Sequence, residues 1–382
     1  MSAKLDVPAV LKGYRLPIDF KAALERLFRD NVQRIHSRTR VSTKNLSIKT
    51  QEYRARAICK SFEELRGNGY ALQSPYSFKT KHVQFLVEYW VKDSQSGGSI
   101  ENKLTYLRAL ASWIGKPNLV STLEQYVDRV ESGLVRSYVA QTDKSWDGNG
   151  VDAVAKIDEI AQTDPNVAIQ LKLQAAFGLR VEESFLLRPG EAVRDAEFLA
   201  VTRGTKGGRD RVVPVELKFA LLEDAARLAN GYTGSTIPHG RTKKQWKERY
   251  YKVLKKHGVT QKGIGVTSHG LRHQYLQQMY ERLTGSAAPI KQTGARPDRE
   301  THLAAMQRVV EAAGHSRATK ANAYLSTVAT QERLALKRPV VSRVEADAAL
   351  DAAQGNKSHA AKALGISRQA LYRLLEQRAE KQ

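Results

Sequence analysis

Apolar residues recur at helical spacing along most of this chain. Tyr53, Ala57, Phe62 and Leu65 predict a helix over Ser47–Leu65. Val83, Phe85, Leu86 and Trp90 form the buried side of a second, over Phe78–Val91. A third is expected from Ser99 to Ile114, with Glu101 in its first turn and Gly97–Gly98 separating it from the second. The polar stretch 141–150, QTDKSWDGNG, reads as a linker, and Asp164–Pro165 marks a helix start. The period then changes. Phe198–Val201, a glycine-containing turn at 204–208 and Val212, Val213 and Val215 predict a β-hairpin. Helical patterns resume over 215–230, 242–256 and 267–283. An exposed loop is expected at 284–301, followed by helices over 302–313 and 318–336. Residues 343–382 read as a separate helical unit. The fold class is therefore mainly α with a small antiparallel β-sheet.

Composition narrows the function. The 382 residues carry 62 Lys and Arg against 39 Asp and Glu, a net charge of +23. Such an excess favours a polyanionic partner, nucleic acid first and an anionic membrane surface second. Apolar runs stay well short of a membrane span, and the N-terminus, with Lys4 and Asp6, lacks the apolar stretch of a secretory signal. A single cysteine, Cys59, excludes a disulfide framework and a cysteine-based zinc site. A reducing, cytoplasmic setting fits.

Four separated segments carry candidate chemistry: Gly178-Leu179-Arg180-Val181-Glu182-Glu183; Thr205 to Pro214, which contains Lys206, Arg209 and Arg211; His269-Gly270-Leu271-Arg272-His273; and Gly314-His315-Ser316 with Tyr324 beyond it. Each alone has an ordinary reading. Arg180 fits a surface helix, Lys206 a basic hairpin, the histidines and Tyr324 a satisfied core. Their co-occurrence in this order is far more specific.

The set resembles the tyrosine recombinases, the phage-integrase family. Arg180 and Glu183 match the first motif, an arginine after Gly-Leu with an acidic residue three positions on. Lys206 to Pro214 match the hairpin lysine followed by R-x-V-P. His269 to His273 match H-x-L-R-H, and Gly314, His315 and Tyr324 match the last motif. The resemblance implies a catalytic domain at 150–338, preceded by a helical core-type DNA-binding domain at 1–145. Arg180, Arg272 and His315 would hold the scissile phosphate. Lys206 would be the general acid, His269 the general base or a further phosphate donor, and Tyr324 the nucleophile. Glu183 and His273 would support them, and Arg209 and Arg211 would contact DNA. No cofactor or metal is implied. Four protomers would act on two duplex DNA sites, with accessory DNA-bending proteins among the partners. The segment 326–339 would dock on a neighbouring protomer. Two features depart from the family pattern: a long interval between Arg272 and His315, and a long segment after Tyr324.

These residue types suit the chemistry. Attack on a phosphodiester adds charge to its non-bridging oxygens, which two arginines and a histidine stabilise by donating hydrogen bonds. A tyrosine hydroxyl, with an ordinary pKa of about 10, needs a base or a cationic pocket to act as nucleophile. The leaving 5′ oxygen needs a proton, which a lysine supplies.

The segment after Tyr324 has its own pattern. Ala360, Ala361, Gly365, Ile366, Ser367, Leu371, Leu374 and Leu375 fit a helix-turn-helix, with Arg368, Gln369, Tyr372 and Arg373 left facing outward as DNA contacts. It resembles the C-terminal helix-turn-helix of Fis-type nucleoid proteins over about 343–378, within a domain expected at 343–382. The whole reads as a site-specific DNA recombinase, or integrase, acting in integration, excision or resolution of a mobile element in the bacterial nucleoid. The alternatives are a non-catalytic DNA-binding regulator or nucleoid protein, and a type IB topoisomerase.

Overall fold

The computed structural model describes residues 5–35, 45–192, 197–205, 208–216, 218–291, 296–335, 343–364, 371, 372 and 375. Of the expected site residues, Lys206, Arg368, Gln369 and Arg373 lie outside them. The chain divides into two compact units, Met1–Arg136 and Ser137–Gln382.

The first unit is helical: α1 (Val7–Lys12), α2 (Ile18–Asn31), α3 (Ile48–Gly67), α4 (Thr80–Lys92) and α5 (Gly97–Trp113). The expected third helix starts earlier than Ser99. Ser96 caps α5 by accepting from the Ser99 N–H, and Gly97 and Gly98 lie inside its first turn. Gly97 is required there, because a Cβ would sit 2.2 Å from the Leu134 carbonyl oxygen. Phe20, Phe62 and Phe78 pack edge to face at the centre, and Trp90 is fully buried. Cys59 is buried too, and burial raises its thiol to about 12, so it is inert.

The second unit is built around α7 (Pro165–Phe177), capped by Asp164 as expected. α6 (Ala153–Ala161) precedes it, and α8 (Val181–Leu186) and α9 (Pro189–Ala192) follow. Apolar side chains on opposite sides of α7 serve two cores, while Lys172 reaches out to pair with Asp158. Ile169, Leu173 and Phe177 join the hairpin and later helices; Val167, Ala168 and Leu171 join Trp146, Phe185 and Trp246. The hairpin pairs β1 (Phe198–Val201) with β2 (Arg211–Pro214), with Leu199 opposite Val213. Leu199, Val201 and Val213 face inward while Phe198 and Val212 face solvent, as strand alternation demands. Then come α10 (Phe219–Arg227), α11 (Lys243–Lys256), α12 (His269–Thr284) and α13 (Arg299–Ala312).

Three expectations need correction. The stretch 141–150 is no free linker: Trp146 is fully buried and its indole N–H donates to the Thr267 carbonyl at 2.8 Å. The 284–301 region is not simply an exposed loop, since Ala288 and Ile290 are buried around a short 3₁₀ turn at Pro289–Lys291. The helix expected over 318–336 is broken. A 3₁₀ turn leads into α14 (Asn322–Leu325), Ser326 takes φ +65°, and α15 (Val328–Ala335) follows. The described part of 326–339 packs within its own unit. Ser326 Oγ donates to the Ala140 carbonyl at 2.6 Å, and the buried Gln331 side chain donates to Ser326 Oγ at 2.8 Å.

At the C-terminal end, α16 (Arg343–Ala352) and α17 (Lys357–Ala363) bury Ala346, Ala360, Ala361 and Leu371 in a small core of their own. No helix among the described residues is long and apolar enough to cross a membrane.

Candidate active site

Chain segments far apart in sequence converge on Arg272. This arginine sits in the first turn of α12 and is fully buried. Its Nη1 donates to the Gly178 carbonyl, its Nη2 to the Ala313 carbonyl at 2.6 Å, and its Nε to Tyr324 Oη at 3.4 Å. Three of the five guanidinium N–H donors are thereby used, leaving two. Arg180, at the start of α8, donates to the same Ala313 carbonyl at 2.8 Å. One main-chain oxygen at the end of α13 thus ties the two arginines together. That tie had no sequence signature, because a backbone acceptor carries no residue type.

Glu183 explains how the cations are held. Its buried carboxylate accepts from the Arg180 backbone N–H at 2.7 Å, from Arg180 Nη1 at 2.6 Å, and from Arg211 Nη1 and Nη2 at 2.8 and 2.7 Å. Burial alone would raise its pKa, but Arg211 and Arg180 outweigh burial and hold it at about 2. Arg211 was expected to contact DNA. It does not face outward: its side chain is 4% exposed and spends its fork on Glu183, so it is a buried partner of the site. Arg209 is exposed and donates to Ser316 Oγ at 3.3 Å, beside His315.

Tyr324, in α14, is 7% exposed. Its hydroxyl lies 3.5 Å from His315 Nε2, and its ring stands 5.6 Å from the Arg272 guanidinium carbon. His315 follows the end of α13, where its backbone N–H donates to the Val310 carbonyl. His273 packs its ring 5.0 Å from that of Tyr324, and His269 stacks edge-on to His273 at 5.3 Å. Burial, then the charge of neighbouring cations, holds the His273 imidazole down at about 3, so it stays neutral. The His269 imidazole is likewise lowered, by the crowding of protein around it and then by Arg272 and Arg180, although one face meets solvent.

The structure therefore brings together Arg180, Glu183, His269, Arg272, His273, His315 and Tyr324, with Arg211 behind them. Tyr372 lies elsewhere, half-buried, with the Lys357 ammonium 4.6 Å above its ring. Sequence reading passed over Gln277, one turn beyond His273 on α12. Its amide donates to the Tyr324 carbonyl at 3.2 Å and to Asp143 Oδ1 at 2.9 Å. The four-residue spacing was the available signal.

Comparisons agree with this geometry. An integrase family model matches residues 133–278, a phage-integrase N-terminal model matches 39–120, and a Fis-family bacterial regulatory protein model matches 341–377. The tyrosine recombinase XerA of Pyrococcus horikoshii is 29% identical over 202 residues, 51% of this chain and 66% of that protein. The match thus spans just under two thirds of the relative. The fold is like that of a lambda integrase dimer bound to a COC′ core site, with TM-score 0.51 and 16% identity over 84% of this chain and 80% of that one. It is also like the Tn1549 transposon integrase in complex with transposon right end DNA, with TM-score 0.51 and 11% identity over 84% of this chain and all of that one. A lambda integrase tetramer bound to a Holliday junction gives TM-score 0.51 and 15% identity over 80% and 77% of the two chains. With two integrase models matching successive parts of the sequence and the motif residues meeting at one site, the chain is similar to the tyrosine recombinases of the phage-integrase family, with a segment similar to the Fis family at its C-terminal end.

Proposed function

We propose that this protein is a site-specific DNA recombinase that cuts and rejoins duplex DNA through a 3′-phosphotyrosyl intermediate. One observation carries the reading: the Tyr324 hydroxyl lies within 3.5 Å of both Arg272 and His315, with Arg180 tied to Arg272 through one carbonyl. Tyr324 Oη attacks the scissile phosphorus. The new O–P bond forms as the bond to the 5′ oxygen breaks. The two free donors of Arg272, the free donors of Arg180 and the ring of His315 stabilise the charge gathering on the non-bridging oxygens. His269, kept neutral near pH 7 by its surroundings, serves as general base for the phenolic proton or as a further donor to the phosphate. Lys206 protonates the leaving 5′ oxygen. The phosphotyrosyl ester keeps the bond energy, so attack by a 5′-hydroxyl reverses the step without nucleotide hydrolysis. Glu183 acts through the arginines it holds.

The remaining assignments belong to the same proposal. The basic N-terminal unit grips duplex DNA as a core-type domain, residues 150–338 carry catalysis, and the C-terminal helix-turn-helix reads accessory sites. Four protomers pair two sites. The likeness to a lambda integrase tetramer bound to a Holliday junction supports that last assignment.

The test is covalent capture. Protein expressed beside its native locus is denatured, the attached DNA is recovered, and its ends are sequenced. Wild type should yield adducts with defined ends and Tyr324→Phe none, while both bind DNA equally. A Tyr324→Phe protein that still cleaves would overturn the assignment. Relaxation of supercoils by a monomer without site preference would point instead to a topoisomerase.

A further inference from the structure

The segment entering the second unit crosses the site as a strap. Its Lys144 carbonyl passes so close to α12 that a Cβ on Gly270 would lie 2.4 Å from it, and 2.8 Å from Trp146 Cδ1. Only glycine fits between His269 and Leu271. The strap also grips the tyrosine-bearing turn. The Ala140 N–H donates to the Asn322 carbonyl at 2.9 Å, and the Ala140 carbonyl accepts from Ser326 Oγ at 2.6 Å. These two bonds bracket Tyr324. A third link runs from Asp143 through the Gln277 amide to the Tyr324 carbonyl itself.

Besides the buried Trp146, what holds the strap is Lys291, from the interval between Arg272 and His315 that is long for the family. Its ammonium pairs with Asp143 Oδ2 at 3.0 Å and Asp147 Oδ2 at 3.2 Å, and reaches Ser145 Oγ at 3.3 Å. The Asp143 and Lys291 side chains are 14% and 25% exposed, so the pair is largely shielded from water. Asp143 is held ionised at about 2: burial opposes this, but Gln277, Ser145 and Lys291 outweigh it.

We propose that Lys291 and Asp143 are positioning residues for the nucleophile. The ion pair locks the 140–147 strap, and the strap, through Ala140 and Gln277, sets the backbone of Asn322–Ser326 and hence where the Tyr324 hydroxyl lies. The long interval after Arg272 thereby serves the catalytic step. Neither residue touches the reacting atoms. The claim rests on the recombinase reading only for its effect on rate; the placement of the tyrosine is a property of the protein alone.

The experiment separates the two. Full-length protein carrying 3-fluorotyrosine at position 324 is compared by ¹⁹F NMR as wild type, Lys291→Met and Lys291→Arg. Single-turnover adduct formation is then timed for the unlabelled proteins on nicked duplexes bearing the captured site. Lys291→Met should shift or broaden the ¹⁹F line and slow adduct formation roughly 10- to 100-fold, the scale of a misplaced reacting group. Affinity for the duplex should be unchanged, and Lys291→Arg should restore line and rate. A Lys291→Met protein with wild-type line and rate would overturn the proposal, as would a faster one, since the strap would then restrain the tyrosine rather than place it. If wild type forms no adduct, the recombinase reading falls and the ¹⁹F comparison decides the positioning claim by itself.

Discussion

Both units bury an arginine, and the two arginines do different things. Arg54, on α3, is 5% exposed; its Nη1 donates to the carbonyls of Val32 and Arg34 at 3.2 and 2.9 Å, and its guanidinium lies 5.7 Å from the Trp113 ring. It secures the chain leaving α2. Burial lowers its pKa to about 10, and among the described residues no second cation contributes to that shift. Arg272 also donates to two carbonyls, but Arg180 and Arg211 both press on its charge, and a tyrosine hydroxyl accepts from its Nε. A buried charge by itself marks a solved packing problem. Like charges gathered beside the tyrosine proposed as nucleophile mark a candidate site, because nothing in folding rewards that arrangement.

The comparison can be broken first at Glu183, which makes the gathering of cations tolerable. Glu183→Ala leaves Arg211 buried without a partner and should destabilise the protein by about 3–5 kcal/mol in urea unfolding. A loss below about 1 kcal/mol would mean that the carboxylate is not what holds these arginines. Arg272→Lys should come next, slowing covalent adduct formation by roughly 10²–10³-fold, as loss of a preorganised donor fork does. Arg54→Lys is its control, and a comparable slowing there would erase the distinction between the two arginines. Phe62→Leu, which leaves a cavity in the aromatic core of the first unit and removes its edge-to-face contacts with Phe20 and Phe78, should cost about 1–3 kcal/mol in urea unfolding and leave the rate of the folded protein alone.

The smallest effect concerns pH. His273 has a folded pKa of about 3 against an ordinary 6.5, so the unfolded chain binds its proton first on acidification. Its contribution is to lower stability as pH falls from about 6.5 toward 3. Glu183, depressed from 4.5 to about 2, contributes stability above pH 4.5 that is lost as pH falls toward 2. His273→Asn should therefore flatten the melting-temperature profile between pH 6.5 and 5 and leave the steeper loss below pH 4.5. An unaltered slope near pH 6 would mean that His273 is not held neutral.

Periodicity read the long helices well, because α3, α4 and α11 each bury one face and expose another. It failed where tertiary contacts overrule local pattern. Polar residues at 141–150 looked like a linker, yet Trp146 anchors them. The residues after His315 looked like one helix, yet the chain breaks at Ser326 to meet the strap. At the site, the motif residues were recognisable by type and order. Arg211 was misread, because an arginine on a short strand has the same spelling whether it faces solvent or a buried carboxylate.

The sequence by itself determined the helical character of the chain, its excess of positive charge, and the identity and order of the candidate reactive groups. These follow from composition and short-range spacing. Only the tertiary structure decided that Arg180 and Arg272 share the Ala313 carbonyl, that Glu183 and Arg211 form the buried support, and that the strap holds the turn carrying Tyr324. Those relations join backbone atoms and side chains distant along the chain, and such contacts exist only once the helices have packed.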